Sequence, residues 1–262
     1  MTFKALWLSM AATAALFADG RTLFRSPTVS KTHIVFVYAD DLWIVGRAGG
    51  DAVRLTSGQG SETNPVFSPD GSTVAFDGEY DGNRDVFVVP AVGGVPKRLT
   101  FHPAPDSVDD WTPDGKRLLF HNSGTWVDNK PRLYTVDLNG AFPIEVPLPL
   151  ALAGSYSPDG SRMAYMPYER ADEAWKRYRG GRATTIWIAN LADSAVTAVP
   201  RKDSNDHSPM WVGNQIYFLS DRAGAYTLFS YDPASNKVTP VSYTHLRAHE
   251  TKANLVCRLL LE

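Results

Sequence analysis

The chain has 262 residues, of which 44% are hydrophobic and 21% charged, and its formal net charge is −2. This is the composition of a globular protein with a core, and the small net charge argues against nucleic acid and an anionic membrane surface as partners. The 20 glycines and 18 prolines recur between short β-branched and aromatic runs, a pattern typical of an all-β protein with many turns.

The first predicted element is an N-terminal targeting segment. Lys4 precedes an uncharged run of 14 residues, Ala5–Ala18, which Asp19 ends. The run is too short to span a bilayer about 30 Å thick as a helix, and it has the length of a signal-peptide core. We therefore predict a signal peptide over 1–18, no stable membrane span and a periplasmic or secreted location. The alternative is a short buried helix, which implies a cytoplasmic location.

The centre of the sequence contains a repeated turn motif. Ser68-Pro-Asp-Gly71, Thr112-Pro-Asp-Gly115 and Ser157-Pro-Asp-Gly160 are spaced by 44 and 45 residues, and each stands between an aromatic residue and a short apolar strand. Proline fixes φ at the first turn position, aspartate caps the turn and glycine accepts a positive φ. Each motif therefore predicts a β-hairpin turn.

A second apolar strand recurs after each hairpin. About four strands in a repeat of roughly 40–45 residues is typical of a propeller blade. We predict an all-β fold, a β-propeller of four-stranded blades over residues 22–240, with about five blades present and the ring incomplete. The predicted blades are approximately 31–57, 64–100, 108–149, 154–200 and 208–240. The aromatic residues that recur in the second strand, and that we assign to the blade cores, are Trp43, Phe87, Tyr134, Trp187 and Phe229.

The last 22 residues, 241–262, differ in character from the rest of the chain. Val241–Thr251 resembles the translation of an adapter used in sequencing libraries, and Asn254–Leu261 resembles the primer that follows it. We predict that the native reading ends near Pro240 and that 241–262 is a non-native read-through tail; the alternative is a helical C-terminus. Cys257, the only cysteine, lies in this tail, so we assign it no disulfide or thiol chemistry.

The repeats resemble the WD-like propeller repeats of TolB and, more closely, those of tricorn protease and its bacterial homologues. His33–Val37, Asp40–Trp43 and Arg54–Gly58 resemble the first tricorn blade. The insertion Trp175–Gly181 in the fourth blade is the most specific match. The resemblance covers about residues 22–240, which is everything between the predicted signal peptide and the predicted tail.

The resemblance implies a large multidomain serine peptidase in which a propeller gates or docks peptides for a downstream PDZ and peptidase region. It also implies a homo-oligomer for the full-length protein. The family archetype is cytosolic, so the predicted signal peptide is a departure from it. The archetype holds substrate C-termini with a basic pair between its second and third blades, and the corresponding stretch here, His102–Val108, departs from that pattern because it has neither arginine nor lysine.

The residues themselves predict no catalytic, cofactor or metal site. No G-x-S-x-G elbow occurs, and no glycine-rich loop joins a strand to a helix. Asp40–Asp41 and Asp109–Asp110 look like paired carboxylates for acid–base work, but they stand beside predicted strand starts and turns, so we assign them capping and turn roles. Neither an H-x-x-x-H motif nor a cysteine partner, as zinc would require, accompanies the propeller histidines, which are His33, His102, His121 and His207.

One stretch is a candidate binding site. The basic and aromatic side chains of the blade-four insertion are Trp175, Lys176, Arg177, Tyr178 and Arg179. Arginine can pair bidentately with a carboxylate, and the aromatic rings can stack on peptide. We therefore predict that they contact a peptide or the peptidase domain. The alternative is a solvated loop whose arginines pair with neighbouring acids, such as Glu169, Asp172 and Glu173.

Three functions remain open at this stage. The first is a non-catalytic propeller segment of a tricorn-like peptidase, the second a free-standing TolB-like periplasmic propeller that binds proteins, and the third the propeller of a prolyl-oligopeptidase-type enzyme. The blade-four insertion favours the first. Fold alone does not decide among them, because propellers host many functions.

Overall fold

The computed structural model describes residues 24–122, 124, 130–170 and 178–242. In these ranges the chain forms five antiparallel sheets of four strands each, every sheet built from consecutive strands, and no helix. The predicted signal peptide, and all but the first two residues of the predicted tail, lie outside the described residues. The fold is therefore an all-β propeller with five four-stranded blades, as predicted.

Each blade runs from an innermost to an outermost strand. The strands are, for blade 1, β1 (Arg25–Val29), β2 (His33–Tyr38), β3 (Asp41–Gly46) and β4 (Val53–Arg54); for blade 2, β5 (Ser61–Phe67), β6 (Thr73–Glu79), β7 (Arg84–Pro90) and β8 (Lys97–Arg98); for blade 3, β9 (Asp106–Trp111), β10 (Arg117–Asn122), β11 (Arg132–Asp137) and β12 (Ile144–Glu145); for blade 4, β13 (Leu152–Tyr156), β14 (Arg162–Met166), β15 (Trp187–Asn190) and β16 (Val196–Ala198); and for blade 5, β17 (Asp206–Val212), β18 (Gln215–Ser220), β19 (Thr227–Asp232) and β20 (Lys237–Pro240). Blade 1 thus includes β1, which precedes the approximate boundary at residue 31.

The repeated motif forms the turn between the first and second strands of blades 2, 3 and 4. In blade 2, Gly71 has a φ of +74°, and its N–H donates to the Ser68 carbonyl at 2.8 Å. The Ser68 hydroxyl and the N–H and hydroxyl of Ser72 donate to the Asp70 carboxylate, and they lower its pKa to about 2. The other two motifs repeat this geometry. The predicted turns are confirmed, with the aspartate as the hydrogen-bond acceptor that closes each one.

Neighbouring blades pack through shared hydrophobic clusters. One cluster joins blades 1 and 2, and three more join blades 2 and 3, 3 and 4, and 4 and 5. The aromatic residues predicted for the cores take part: Phe76 stacks on Phe87 with ring centroids 5.7 Å apart, and Phe120 stacks on Tyr134 at 5.6 Å. In the described part of the chain, no cluster of this kind joins blade 5 to blade 1.

The innermost strand of every blade carries an irregularity in its pairing with the second strand. In four blades the irregular stretch includes a non-glycine residue with positive φ, namely Ser26, Asn64, Ala153 and Ser208. In β9 the irregularity falls at Asp109, because Val108 pairs with Phe120 while Asp110 pairs with Leu119. Such bulges redirect a side chain relative to the sheet, so they determine what the innermost strands present at the axis.

Candidate functional site

A cavity of about 390 Å³ lies where the five innermost strands converge, and residues from all five blades line it. Its wall is mainly apolar, with Trp211 contributed by blade 5, and it carries the polar side chains of Asn64, Asp109, Asp110 and Ser155. The Ser155 hydroxyl donates to Asp110 Oδ2 at 3.0 Å and accepts the Trp211 N–H at 3.0 Å. One serine therefore ties blades 3, 4 and 5 together at the axis.

The position of the Asp109–Asp110 pair differs from the sequence prediction. Both residues lie within β9 and line the axial cavity, so they are neither turn nor capping residues. Asp110 accepts from Ser155, whereas the bulge at Asp109 brings that carboxylate to 3.0 Å from His121 Nδ1. In Asp40–Asp41, by contrast, Asp40 occupies the turn before β3 and Asp41 begins that strand.

A buried charged cluster adjoins the axial cavity between blades 2 and 3. Asp77 accepts the Val108 N–H at 2.7 Å, and burial raises the pKa of Asp77 to about 7 although this hydrogen bond and His121 oppose the shift. Burial alone would lower the pKa of His121, but Asp109 and then Asp77 outweigh it, so the His121 pKa is raised. Both pKa values are raised, so the folded chain holds protons here over a pH range in which the unfolded chain releases them.

The geometry of this cluster does not provide a nucleophile activated by histidine. Ser107 lies opposite His121 in the β9–β10 pairing, but its hydroxyl accepts a hydrogen bond from Arg84 at 3.2 Å. The His121 Nδ1 atom is already engaged with Asp109. Nucleophilic catalysis needs a hydrogen bond between nucleophile and base, and within the described ranges none joins Ser107 to His121. The cluster is better suited to coupling blade packing to pH.

Of the five predicted contact residues, two can be placed. Trp175, Lys176 and Arg177 lie outside the described residues, whereas Tyr178 and Arg179 lie inside them. The Tyr178 carbonyl accepts from Asn205 Nδ2 at 2.9 Å. This backbone contact fastens the end of the insertion to the segment that enters blade 5.

Arg179 is held by acids of the following blade. Its Nη1 lies 2.8 Å from Asp221 Oδ2, and its Nε lies 3.5 Å from Asp203 Oδ1. Asp221 is almost completely buried and also accepts the Asn205 N–H at 2.7 Å. Arg179 therefore acts as an anchor of the insertion, with partners that differ from the neighbouring acids considered from the sequence.

Among residues 24–122, 124, 130–170 and 178–242, no three histidine, cysteine, aspartate or glutamate side chains are grouped so that they could hold a metal ion. Within the same ranges, no helix has the length and apolar character needed to cross a bilayer.

The Asp77–His121 cluster was not predicted from the sequence, yet the repeat contains a signal for it. Asp77 and His121 are 44 residues apart, so they occupy the same position in blades 2 and 3. Each directly follows an apolar run of three residues in the second strand of its blade. An ionisable residue at the same position of two neighbouring repeats indicates an interacting pair, which is recognised only when the repeats are superimposed.

Comparison with known proteins identifies the family that the repeats of the sequence resemble. A family model described as the tricorn protease N-terminal beta propeller domain matches residues 21–254, and its match extends past Pro240. Tricorn protease homolog 1 of Streptomyces coelicolor is 32% identical over 215 residues, which cover 79% of this chain and 19% of the relative. The chain spans about a fifth of the length of the curated relatives it matches.

Solved structures share the architecture. The crystal structure of the tricorn protease aligns with a TM-score of 0.71 at 25% identity, covering 85% of this chain and 22% of that one. TolB from Acinetobacter baumannii aligns with a TM-score of 0.67 at 19% identity, covering 86% of this chain and 56% of that one. At 19% identity the likeness to TolB shows the fold alone.

Proposed function

The chain belongs to the tricorn protease N-terminal β-propeller family, and from this premise we propose that it is the non-catalytic propeller segment of a tricorn-like serine peptidase. In this role it gates or docks peptides for a downstream PDZ and peptidase region of the native protein. The axial cavity carries the proposal, because all five blades contribute to one opening at the centre of the fold.

The chemistry of that cavity suits an extended peptide. Asn64 and the Asp110–Ser155 pair offer hydrogen-bonding groups, and Trp211 offers an apolar surface. A mostly apolar wall with a few placed polar groups is how ligand sites in proteins are generally built. Lys31 lies at the same cavity and supplies a positive charge toward a peptide carboxylate.

The blade-four insertion supplies the second part of the proposal. Because Arg179 anchors the insertion to Asp221, Trp175, Lys176 and Arg177 are the residues we assign to contact with peptide or with the peptidase domain. Tyr178 and Arg179 then position the insertion. The full-length protein would act as a homo-oligomer, and removal of residues 1–18 would place it in the periplasm or outside the cell.

Retention and cleavage of peptides by the purified chain test the proposal. A mixture of short synthetic peptides is equilibrated with the chain across a dialysis membrane, and both compartments are analysed by mass spectrometry. We expect peptides to be retained and to stay intact. Retention should fall in the Lys176→Ala/Arg177→Ala variant, while Lys130→Ala, which removes a charge elsewhere, should retain peptides as the unmodified chain does. Cleavage in proportion to the concentration of the chain would contradict a non-catalytic propeller.

A free-standing TolB-like propeller that binds folded proteins is the second candidate, and it requires the same fold, which TolB shares. The two candidates differ in the ligand they require. The same dialysis experiment with peptides shows no retention if the chain recognises only folded surfaces. Retention of short peptides therefore separates the first candidate from the second.

A further inference from the structure

A second cavity, of about 480 Å³, lies between blades 2 and 3 and away from the axis. Its walls are mainly aromatic and apolar, and two of its phenylalanines are largely exposed, Phe101 and Phe142. Two polar residues with almost no exposed surface, Asp106 and Tyr134, also line it. We call this cavity, lined by these four residues and their neighbours, the interblade slot.

The equivalent place between blades 1 and 2 is filled by a side chain of the protein itself. The Tyr80 hydroxyl donates to Glu62 Oε1 at 2.6 Å, and the Tyr80 ring packs edge-on against Phe87 at 4.8 Å. Glycines at 58 and 78 make room for this ring, because a Cβ at either position would come within 3 Å of it. The internal repeat thus places a tyrosine between an acid and an aromatic ring.

The interblade slot is the same place in the next repeat. Adding 44 to Gly58, Glu62 and Gly78 gives His102, Asp106 and Asn122, and the recurring aromatic position leads from Phe87 to Tyr134. All four of these equivalents line the cavity. The residue equivalent to Tyr80 is Gly124. The tyrosine of the first interface is therefore missing from the second.

Position 124 cannot supply the missing ring. A Cβ at Gly124 would lie 2.1 Å from the Ala104 Cβ, and the Gly124 N–H is bound to Asn122 Oδ1 at 2.7 Å. Glycine is thus required where the previous repeat has tyrosine. His102, whose Nδ1 accepts the Ala104 N–H at 3.0 Å, forms one wall of the space and leaves the cavity open.

The missing ring leaves two polar atoms unsatisfied. Asp106 Oδ1 accepts from Asn122 Nδ2, and the nearby Thr100 hydroxyl also favours the charged carboxylate, but the buried Asp106 Oδ2 has no hydrogen-bond partner of good geometry among the described residues. The Tyr134 hydroxyl oxygen is likewise buried without a partner in that part of the chain. In the first interface, the acid oxygen at this position is satisfied by a phenol. An unsatisfied buried polar atom destabilises the fold, and a ligand with a suitable donor would remove that cost.

We propose that the interblade slot binds a tyrosine side chain of a bound peptide, with the phenol hydroxyl donating to Asp106 and the ring packing between Tyr134 and Phe142. The donor matches the free carboxyl oxygen, and the flat ring matches the aromatic walls that hold Tyr80 in the preceding repeat. The inference rests on the proposed peptide-handling function and gives it a preference for one side chain.

Calorimetric titration of the 262-residue chain with capped tripeptides tests the proposal. The probes are acetyl-Gly-Tyr-Gly-amide, its Phe analogue and its Leu analogue. We expect the tyrosine probe to bind roughly tenfold more tightly than the phenylalanine probe, because only the phenol donates to the buried acid. Equal affinity for the tyrosine and leucine probes, or no binding of the tyrosine probe, would overturn the proposal. The titration measures binding in the slot alone. If the tyrosine probe does not bind there, retention of peptides at the axial cavity is unaffected, so the two proposals fail separately.

Three variants locate the site. Tyr134→Phe removes a hydroxyl that has no partner among the described residues, so it should leave the fold intact. It should weaken the tyrosine probe several-fold, because the probe's phenol oxygen loses a hydrogen-bond donor. Asp106→Asn should remove the preference for tyrosine over phenylalanine, and Phe142→Ala, which changes an exposed wall, should weaken both aromatic probes. Asp51→Asn, a loop acid in blade 1 far from the slot, is the charge-matched control. Unchanged titrations in all three slot variants would place the binding elsewhere and overturn the proposal.

One further variant addresses self-occupation of the slot. Trp126 follows Gly124 by two residues and carries an indole N–H donor. Trp126→Ala should bind the tyrosine probe as the unmodified chain does. If only Trp126→Ala binds the probe, the chain fills the slot itself and the proposal is wrong.

Discussion

At the scale of single residues, burial determines how much an ion pair contributes to the stability of the fold. Arg179 pairs with Asp221, which is 5% exposed, whereas Arg25 pairs with Asp40 in a contact where both side chains are more than half exposed. An exposed pair contributes little because water screens it, while a buried carboxylate that loses its partner stays desolvated. Loss of Arg179 should therefore destabilise the chain more than loss of Arg25, although each arginine makes an ion pair at 3.0 Å or less.

Arg179→Ala should lower the free energy of unfolding by about 1–3 kcal/mol. The expected loss is below that of a fully buried pair because the Arg179 side chain is 29% exposed. Arg25→Ala is the matched control, with an expected loss under about 0.5 kcal/mol. Urea unfolding followed by tryptophan fluorescence measures both. Equal losses would mean that Arg179 does not anchor the insertion.

The Asp77–His121 cluster should make the chain less stable as the pH rises. Asp77 keeps its proton in the folded state up to about pH 7 but loses it near pH 4 when unfolded, so the folded state binds more protons in between. His121, with its raised pKa, extends the effect above pH 6.5. Burial also raises the pKa values of Asp85, Asp106 and Asp206, which act in the same direction.

We therefore expect lower stability at pH 8 than at pH 5, measured by urea unfolding at each pH. Asp77→Asn keeps an acceptor for the Val108 N–H and removes the titration. It should flatten the slope between pH 4 and 7 by up to about 1.4 kcal/mol per pH unit. A variant with the slope of the unmodified chain would show that Asp77 does not titrate in this window.

At the scale of elements, the repeated turns determine the blades. Replacing Gly160 by alanine should destabilise the chain by about 1 kcal/mol, because its φ of +71° is unfavourable for any other residue. The added Cβ would meet nothing closer than 3.9 Å, so backbone conformation alone is tested. Gly181→Ala is the control, since that glycine has neither a positive φ nor a neighbour within 4 Å. Equal unfolding free energies for both variants would contradict the assigned role of the turn.

The sequence predicts the blades well because turn chemistry and strand patterning recur with the repeat. The axial site is harder to predict, because irregularities in the innermost strands decide which side chains reach the cavity, and the bulge at Asp109 leaves no local motif. The interblade slot depends on a difference between repeats, Tyr80 against Gly124, which matters only once the blades are packed together. Fold follows from what the repeats share, and the candidate sites follow from where they differ.

At the scale of the whole molecule, the blades differ in how many neighbours they have. Blades 2, 3 and 4 share a hydrophobic cluster on both faces, whereas in the described ranges blades 1 and 5 share one on a single face. The other face of blade 1 presents the ring contacts of Phe24 with Phe36 and Tyr38, and Phe24 is 53% exposed. Stability in stacked repeats depends on each interface with a neighbour, so the outer blades should open first.

Hydrogen exchange should show this order. We expect amides of β6, β10 and β14 to exchange more slowly than those of β2 and β18. All five are second strands, so position within the blade is held constant. Equal protection of β2 and β10 would mean that the outer face of blade 1 is covered as well as an inner one.

The central claim is that this propeller is the non-catalytic front of a tricorn-like peptidase. It is tested most directly by sequencing the source gene beyond codon 240. We expect the reading frame of the source gene to contain PDZ and serine peptidase sequence after the propeller. A stop codon soon after one more blade, or an α/β-hydrolase with a G-x-S-x-G elbow, would contradict the account.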